Sequence, residues 1–218
     1  WRFILPGLAV VVALFAVGWA YVALFFLLVT AAIGLFFRDP NRRSPERPGL
    51  VLAPADGKIV KIDEVECETW DGRRETLQRV TIFLSILDVH IQRAPTYGTV
   101  RSVRYNPGKF LNALNDKSSD ENEHNMIWME TNHGSMGVKQ IAGVIARRVV
   151  CHAREGEHFR PGDRIGLIRF GSRAEACFPK DMVIRTKIGA RVKAGLTPLA
   201  EETAPAGESQ HSESGASE

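Results

Sequence analysis

"IRFGSRAEACFP", Ile168 to Pro179, is the stretch whose reading decides the fold. An apolar run that begins at Ile165 leads into it, and "EACFPKDMVI", Glu175 to Ile184, leads out. Both flanks read as strand, with Gly171-Ser172 standing between them. Short runs rich in β-branched residues and bounded by Gly, Pro, Asn or Asp are the signature of strands joined by turns. The same grammar recurs in both directions along the chain: "GKIVKIDEV", "QRVTIFLSI", "GTVRSVRY", "NMIWMET", "VKQIAGVIARRVV", "DRIGLIRFG", "DMVIRTKIG" and "ARVKAG". Only "GKFLNALNDK", Gly108 to Lys117, has the pattern of a short helix. Residues 50–200 are therefore predicted to form a mainly β domain.

Two segments, "LAPADGKIVKI" and "REGEHFRPGDRIGLI", each set a tight turn beside a short strand. That arrangement resembles the compact β-sandwich of biotinyl and lipoyl carrier barrels. No lysine sits in the Met-Lys hairpin context that carries those cofactors, so the likeness extends to fold and not to carrier function.

The ends of the chain are different in kind. No charged residue occurs from Phe3 to Phe37. As one straight helix this segment would span roughly 50 Å, against about 30 Å for a bilayer's hydrocarbon core. Two full spans would need about 40 residues and a turn. Gly18-Trp19 lies near the middle, where a bend divides the segment. The expectation for residues 1–37 is a helical hairpin dipping into one leaflet, or one tilted span with an interfacial arm. Arg38, Arg42, Arg43 and Arg47 follow at once and place the next domain on the cytoplasmic face of the cell membrane. Residues 38–49, "RDPNRRSPERPG", hold three prolines and four arginines. They read as a linker that suits an anionic headgroup surface. Residues 201–218 have no large apolar residue and are expected to be a disordered tail.

Composition narrows the function. The chain has 218 residues, 44% of them hydrophobic, enough for one modest domain with residues left over at both ends. Its net charge of +3 is too mild to argue for nucleic acid. Cys67, Cys151 and Cys177 are odd in number and widely spaced, with no metal-type Cys or His spacing, so reduced thiols are expected.

Gly171-Ser172 can be a plain turn or a reactive peptide. A serine hydroxyl can attack the carbonyl carbon of the residue before it and move the acyl group from nitrogen to oxygen. Glycine at that carbon minimises crowding and tolerates strained backbone angles. β-Elimination from the ester leaves dehydroalanine, and its hydrolysis leaves a pyruvoyl group. That ketone can condense with a substrate amine and withdraw electrons as a carboxylate departs, the part played elsewhere by pyridoxal phosphate.

The company of this dipeptide favours the second reading. "FFRDPNR", "APADGKIVKI", "SILDVHIQRAPTYG", "NPGKFLNALNDKSSDENEHN" and "RFGSR" occur in this order. As a set, from about Phe36 to Leu199, they resemble phosphatidylserine decarboxylases of the short, membrane-associated type. Archaetidylserine decarboxylases share much of the pattern. The resemblance implies cleavage between Gly171 and Ser172, a β chain of residues 1–171, an α chain of residues 172–218, and a covalent pyruvoyl cofactor made from Ser172. The implied substrate is phosphatidylserine in the membrane, the products phosphatidylethanolamine and carbon dioxide, with no metal; homo-oligomerisation is left open. The rival reading is a membrane-tethered β-sandwich binding module without chemistry.

The resemblance also points to Asp56 in "PADG" and His90 in "DVHIQRAP" as catalytic. Long-form members carry two histidines in the pattern D-Y-H-x-x-H-x-P. Here His90 matches the first, and Arg93 stands in place of the second, the one linked to self-cleavage. His90 is expected to serve one or both proton transfers, oriented by Asp56, with His124 in "NEHN" as the alternative for one role. Arg93 suits a substrate phosphate or carboxylate, or a salt bridge. Asn112 and the polar stretch from Asp116 to Asn125 read as a long loop over the site. The apolar N-terminal segment is expected to deliver the domain to lipid and to contribute no group to the chemistry.

Overall fold

The apolar N-terminal segment folds as two antiparallel helices, α1 (Ile4–Ala16) and α2 (Ala20–Phe36). They part at Gly18, whose φ of 82° lies where glycine is favoured. Gly18 N–H donates to Phe15 O at 3.1 Å and Trp19 N–H to Leu14 O at 3.0 Å. This pair of bonds is the Schellman closure, which satisfies the last carbonyls of α1. The helices meet through small side chains. A Cβ on Gly7 would lie 2.5 Å from Thr30 Oγ1, so only glycine admits that approach. No residue of α1 is buried, and in α2 only Ala23, Thr30 and Phe36 are. No helix among the described residues is long and apolar enough to cross a membrane. The chain is seen here in a computed structural model, which describes residues 3–110, 118–143, 148–168 and 172–202.

The rest is mainly β, as its sequence predicts; strand outweighs helix by 45% to 17%. The first strands are β1 (Leu50–Leu52), β2 (Gly57–Glu68), β3 (Arg74–Leu84), β4 (Ile91–Arg93) and β5 (Gly98–Asn106). A single-turn helix, α3 (Ser118–Glu121), precedes β6 (His124–Thr131), β7 (Gly134–Ile141), β8 (Val149–Cys151), β9 (His158–Phe159) and β10 (Arg164–Ile168). Then come β11 (Ser172–Pro179), β12 (Val183–Ile184), β13 (Arg191–Val192) and β14 (Pro198–Glu201).

Eight strands form one curled sheet in the order β13-β2-β3-β11-β7-β6-β5-β9, and two three-stranded sheets, β1-β14-β12 and β4-β10-β8, accompany it. The small sheets close the concave face of the large one. Val51, Leu199 and Ala200 pack on Ile59, Val80, Ile82, Ala174, Ala176 and Phe178 over one half. Ala94 and Ile165 pack on Val100, Ile127, Met129 and Val138 over the other. The result is a half-barrel with a filled interior.

β11 is the axis of this arrangement. It pairs antiparallel with β3 from Ser172↔Leu84 to Pro179↔Leu77, and with β7 from Arg173↔Ile141 to Cys177↔Gly137. Side chains alternate across a strand, so Ser172, Ala174, Ala176 and Phe178 face the core, and Arg173, Glu175 and Cys177 face outward. The outward set is buried too. Arg173 Nη2 lies 2.9 Å from Glu175 Oε1, and Ser119 Oγ donates to Glu175 Oε2 at 3.1 Å.

The expected helix at residues 108–117 falls mostly outside the described residues. One sequence expectation needs correction here. The polar stretch read as a loop up to Asn125 includes helix α3 and the start of β6; His124 and Asn125 pair with Ile141 and Gln140.

Candidate active site

His90 sits in the short link between β3 and β4. The link is held by Asp88, whose N–H donates to Ser85 O at 3.0 Å and whose Oδ2 accepts from Ser85 N–H and Ser85 Oγ, both at 2.8 Å. The Asp88 carbonyl lies 2.8 Å from His90 Nδ1. A carbonyl only accepts, so Nδ1 carries the proton and donates. In the neutral ring Nε2 is then the unprotonated, basic nitrogen. Burial lowers the His90 pKa below the usual imidazole value, opposed by the hydrogen bond to Asp88, so the neutral form is favoured. His90 is 1% exposed, and its Nε2 has no hydrogen-bond partner among the described residues.

Ser172 opens β11 directly across from Leu84, the last residue of β3 and the start of the link that carries His90. From the other side, Ile168 N–H donates to His90 O at 3.2 Å. Ile168 and Ser172 are therefore each fixed beside the His90 link. Ser172 is fully buried, and its Oγ has no partner among the described residues. A buried hydroxyl without a partner costs about 1–3 kcal/mol. Two such atoms, a serine hydroxyl and an unprotonated imidazole nitrogen, lie near neighbouring strand ends, where a buried polar atom without a partner is a candidate for chemistry. Gly171, the residue expected before the cleaved bond, lies outside the described residues.

A line of buried amides braces the His90 main chain. Gln92 Nε2 donates to His90 O at 2.9 Å, and Gln140 Nε2 donates to Gln92 Oε1 at 3.0 Å. Both glutamines are fully buried. Nothing in sequence singles them out; the only signal is an uncharged polar residue at a position the strand buries.

Asp56 is not the partner that orients His90. Its neighbour Gly57 has φ of 150° and approaches Phe83 O so closely that a Cβ would lie 2.2 Å away, which fixes the "ADG" turn against β3. There the Asp56 carboxylate receives both Arg42 amino groups, Nη1 to Oδ1 at 2.5 Å and Nη2 to Oδ2 at 2.8 Å, and the Ala194 N–H at 2.8 Å. The ion pair is buried, with side-chain exposures of 7% for Arg42 and 11% for Asp56.

Arg93 is likewise a strut. Its Nη1 donates to Gly162 O at 2.9 Å, and Nη2 to Asp39 Oδ1 at 2.8 Å and Pro40 O at 3.1 Å. Asp39 also meets Arg164 Nε at 2.5 Å. The segment read as a plain linker is thus pinned to the domain by Arg42 and Asp39. Beside it lies a basic groove of about 700 Å³ lined by Arg42, Arg43, Arg93, Arg160 and Arg164.

His124 stands apart from Ser172. It pairs with Ile141, which pairs with Arg173, so alternation puts it on the outward face. Its Nδ1 is 2.7 Å from Asn122 O and its Nε2 is 3.2 Å from Asn106 Nδ2. It lines a separate cavity of about 310 Å³ with Cys67, Arg79, Lys139 and Glu175. Asn112 lies outside the described residues. Cys67, Cys151 and Cys177 are free thiols.

A half-barrel that buries a serine hydroxyl across from the link carrying a neutral histidine has the makings of an active site, and comparison with known proteins says which kind. The family profile for phosphatidylserine decarboxylase matches residues 29–200. A phosphatidylserine decarboxylase proenzyme of Syntrophus aciditrophicus (strain SB) is 41% identical over 198 residues, covering 88% of this chain and 90% of that one. The chain belongs to the phosphatidylserine decarboxylase family.

Proposed function

We propose that this decarboxylase is made as a proenzyme, cleaves itself between Gly171 and Ser172, and then decarboxylates phosphatidylserine at a membrane surface. The observation that carries this reading is the pair of buried, unpartnered atoms, Ser172 Oγ and His90 Nε2. His90 Nε2 takes the hydroxyl proton as Ser172 Oγ attacks the Gly171 carbonyl carbon. The Gly171–Ser172 C–N bond breaks, and an ester to Oγ replaces it. Elimination releases the Gly171 carboxylate and leaves dehydroalanine, from which water releases ammonia and leaves the pyruvoyl group. Residue 172 fits that group: it is enclosed, opens a strand, and is followed on its own face by the small Ala174. The pyruvoyl ketone supplies an electron sink for a substrate amine that loses its carboxylate. His90, once protonated, is the candidate acid that returns a proton to the substrate's α carbon.

The membrane part of the proposal rests on the hairpin. Phe15, Tyr21, Phe25 and Leu28 are 71%, 91%, 61% and 62% exposed. A helix that is apolar all round needs lipid or protein around it. At 13 and 17 residues the helices are about 20 and 26 Å long, short of the hydrocarbon core, which suits a hairpin entering one leaflet.

The test is Ser172→Ala in the full chain. It should run as one band on a denaturing gel and have no decarboxylase activity, since alanine has no hydroxyl to attack or to become a ketone. Cleavage of that variant at the wild-type rate would sink the proposal. Ser172→Cys should cleave slowly, because a thiol is a competent nucleophile.

A further inference from the structure

The helical hairpin and the β domain meet at one ring. Phe36, the last residue of α2, lies against His90 with ring centroids 4.3 Å apart and planes at 40°. It is 6% exposed, although the helix that carries it is mostly bare. Edge-on contact with Phe37, at 4.9 Å, backs it, and Phe37 stacks on Phe3. Arg38 fastens the same point: Nη1 donates to Leu35 O at 2.8 Å, and Nη2 reaches across to Leu87 O at 2.5 Å, in the link that carries His90. The next contacts along the chain, Asp39 with Arg93 and Arg42 with Asp56, continue the attachment. Such a run of contacts is more than tethering requires.

We propose that Phe36 is a positioning residue for His90: the end of the membrane hairpin forms one wall of the catalytic centre, and the centre is complete only when that end is docked. The proposal rests on the reading of His90 as the maturation base. It runs against the sequence expectation that the apolar segment contributes no group to the chemistry. Phe36 keeps water from the ring and holds its plane, so that Nε2 stays unprotonated and aimed. The charged groups that act on His90 are Asp88 in its own link, Asp56 in the turn before β2, and Arg38 at the hairpin's end. Asp56 is neutralised by Arg42. Removing Phe36 leaves these charges in place and changes chiefly hydration.

The experiment follows cleavage of the full chain, synthesised cell-free into detergent micelles, across a range of pH. Micelles remove bilayer delivery as a variable. In Phe36→Ala the acid limb of the rate profile should move up toward the free-imidazole value near 6.5. Cleavage at about pH 5.5 should slow by about 3–10-fold more than at about pH 8, since on the acid side the neutral fraction of an imidazole falls in proportion to its proton affinity. Phe36→Leu, which restores an apolar cover, should recover the wild-type profile. Phe25→Ala, on the bare face of α2, should leave it unchanged. A second readout does not depend on cleavage: histidine resonances of the uncleaved Ser172→Ala chain, with His90 assigned by loss in His90→Gln, should titrate at higher pH when Phe36→Ala is added. An unmoved resonance, or a loss of rate equal at every pH and not rescued by leucine, would overturn the proposal. If His90→Ala cleaves and turns over normally, the reading of His90 as base fails, and the resonance still decides whether Phe36 covers the ring.

Discussion

His90 is set up by the main chain rather than by a carboxylate. Asp88 O holds Nδ1–H, which leaves Nε2 as the base. His90→Ala should therefore stay as a single chain, or, if the imidazole acts only as the acid of the turnover step, cleave and lose about 10²–10⁴-fold in rate. A gel and an assay for released carbon dioxide separate the two. The lowered His90 pKa also has a sign for stability. The folded state disfavours the proton, so the stabilising contribution of the neutral ring is complete above the unfolded value near 6.5 and is lost as pH falls from there toward the folded value. Melting temperatures of the Ser172→Ala chain should drop over that window, and the drop should shrink in Ser172→Ala/His90→Gln. Ser172 and His90 stand out in sequence only through the set of motifs around them, since a Gly-Ser pair alone reads as a turn and a histidine in a strand as a packed side chain. Asp88 is not legible as the orienting group, because every residue has a carbonyl. Asp56 is pointed to in sequence by the family resemblance, and a sequence does not show that a linker arginine already holds it.

The linker between hairpin and domain behaves as part of the fold. "RDPNRRSPERPG" has no secondary structure from Arg38 to Arg47, yet Arg42 spans a buried pair with Asp56 and Asp39 bridges Arg93 and Arg164. Removing one member of a buried pair strands the other charge. Asp56→Ala and Arg42→Ala should each cost roughly 3–5 kcal/mol, and the double variant much less than their sum. Denaturant melts of the uncleaved Ser172→Ala chain measure this. Equal, additive losses of well under 1 kcal/mol would show a solvated pair instead. Strands are easier to read than their limits. "VKQIAGVIARRVV" looks like one strand, but β7 ends at Ile141 and β8 begins at Val149. "DMVIRTKIG" keeps only Val183 and Ile184. Propensity marks residues that suit a strand; neighbours with free edges decide how many are used.

Cleavage before Ser172 would cut the chain without dividing the half-barrel. β11 lies between β3 and β7, β13 pairs with β2, and β14 pairs with β1. The residues after the break supply a central strand, an edge strand and part of a covering sheet, and Phe178 and Leu199 sit in the main core. The two fragments should elute together on native size exclusion in micelles and part only in denaturant. Separation of the fragments under native conditions would mean that the strand pairing does not survive processing. The architecture as a whole is legible from the density of short strands and turns, together with a charge-free leading segment. The curl of the large sheet and the placing of its two small covers are not, since register depends on partners remote in sequence.

Ser172 meets Leu84 only after a strand from late in the chain has slipped between two that were made early. His90 faces its surroundings only after the leading hairpin has returned to lie over it. A polypeptide that collapses wrongly brings neither together and keeps an ordinary peptide bond at this position. On the proposed mechanism, processing would be a self-administered inspection: the ketone would be issued only to molecules that have already reached the native topology, so a misassembled copy would remain chemically inert and leave no reactive carbonyl loose in the cell.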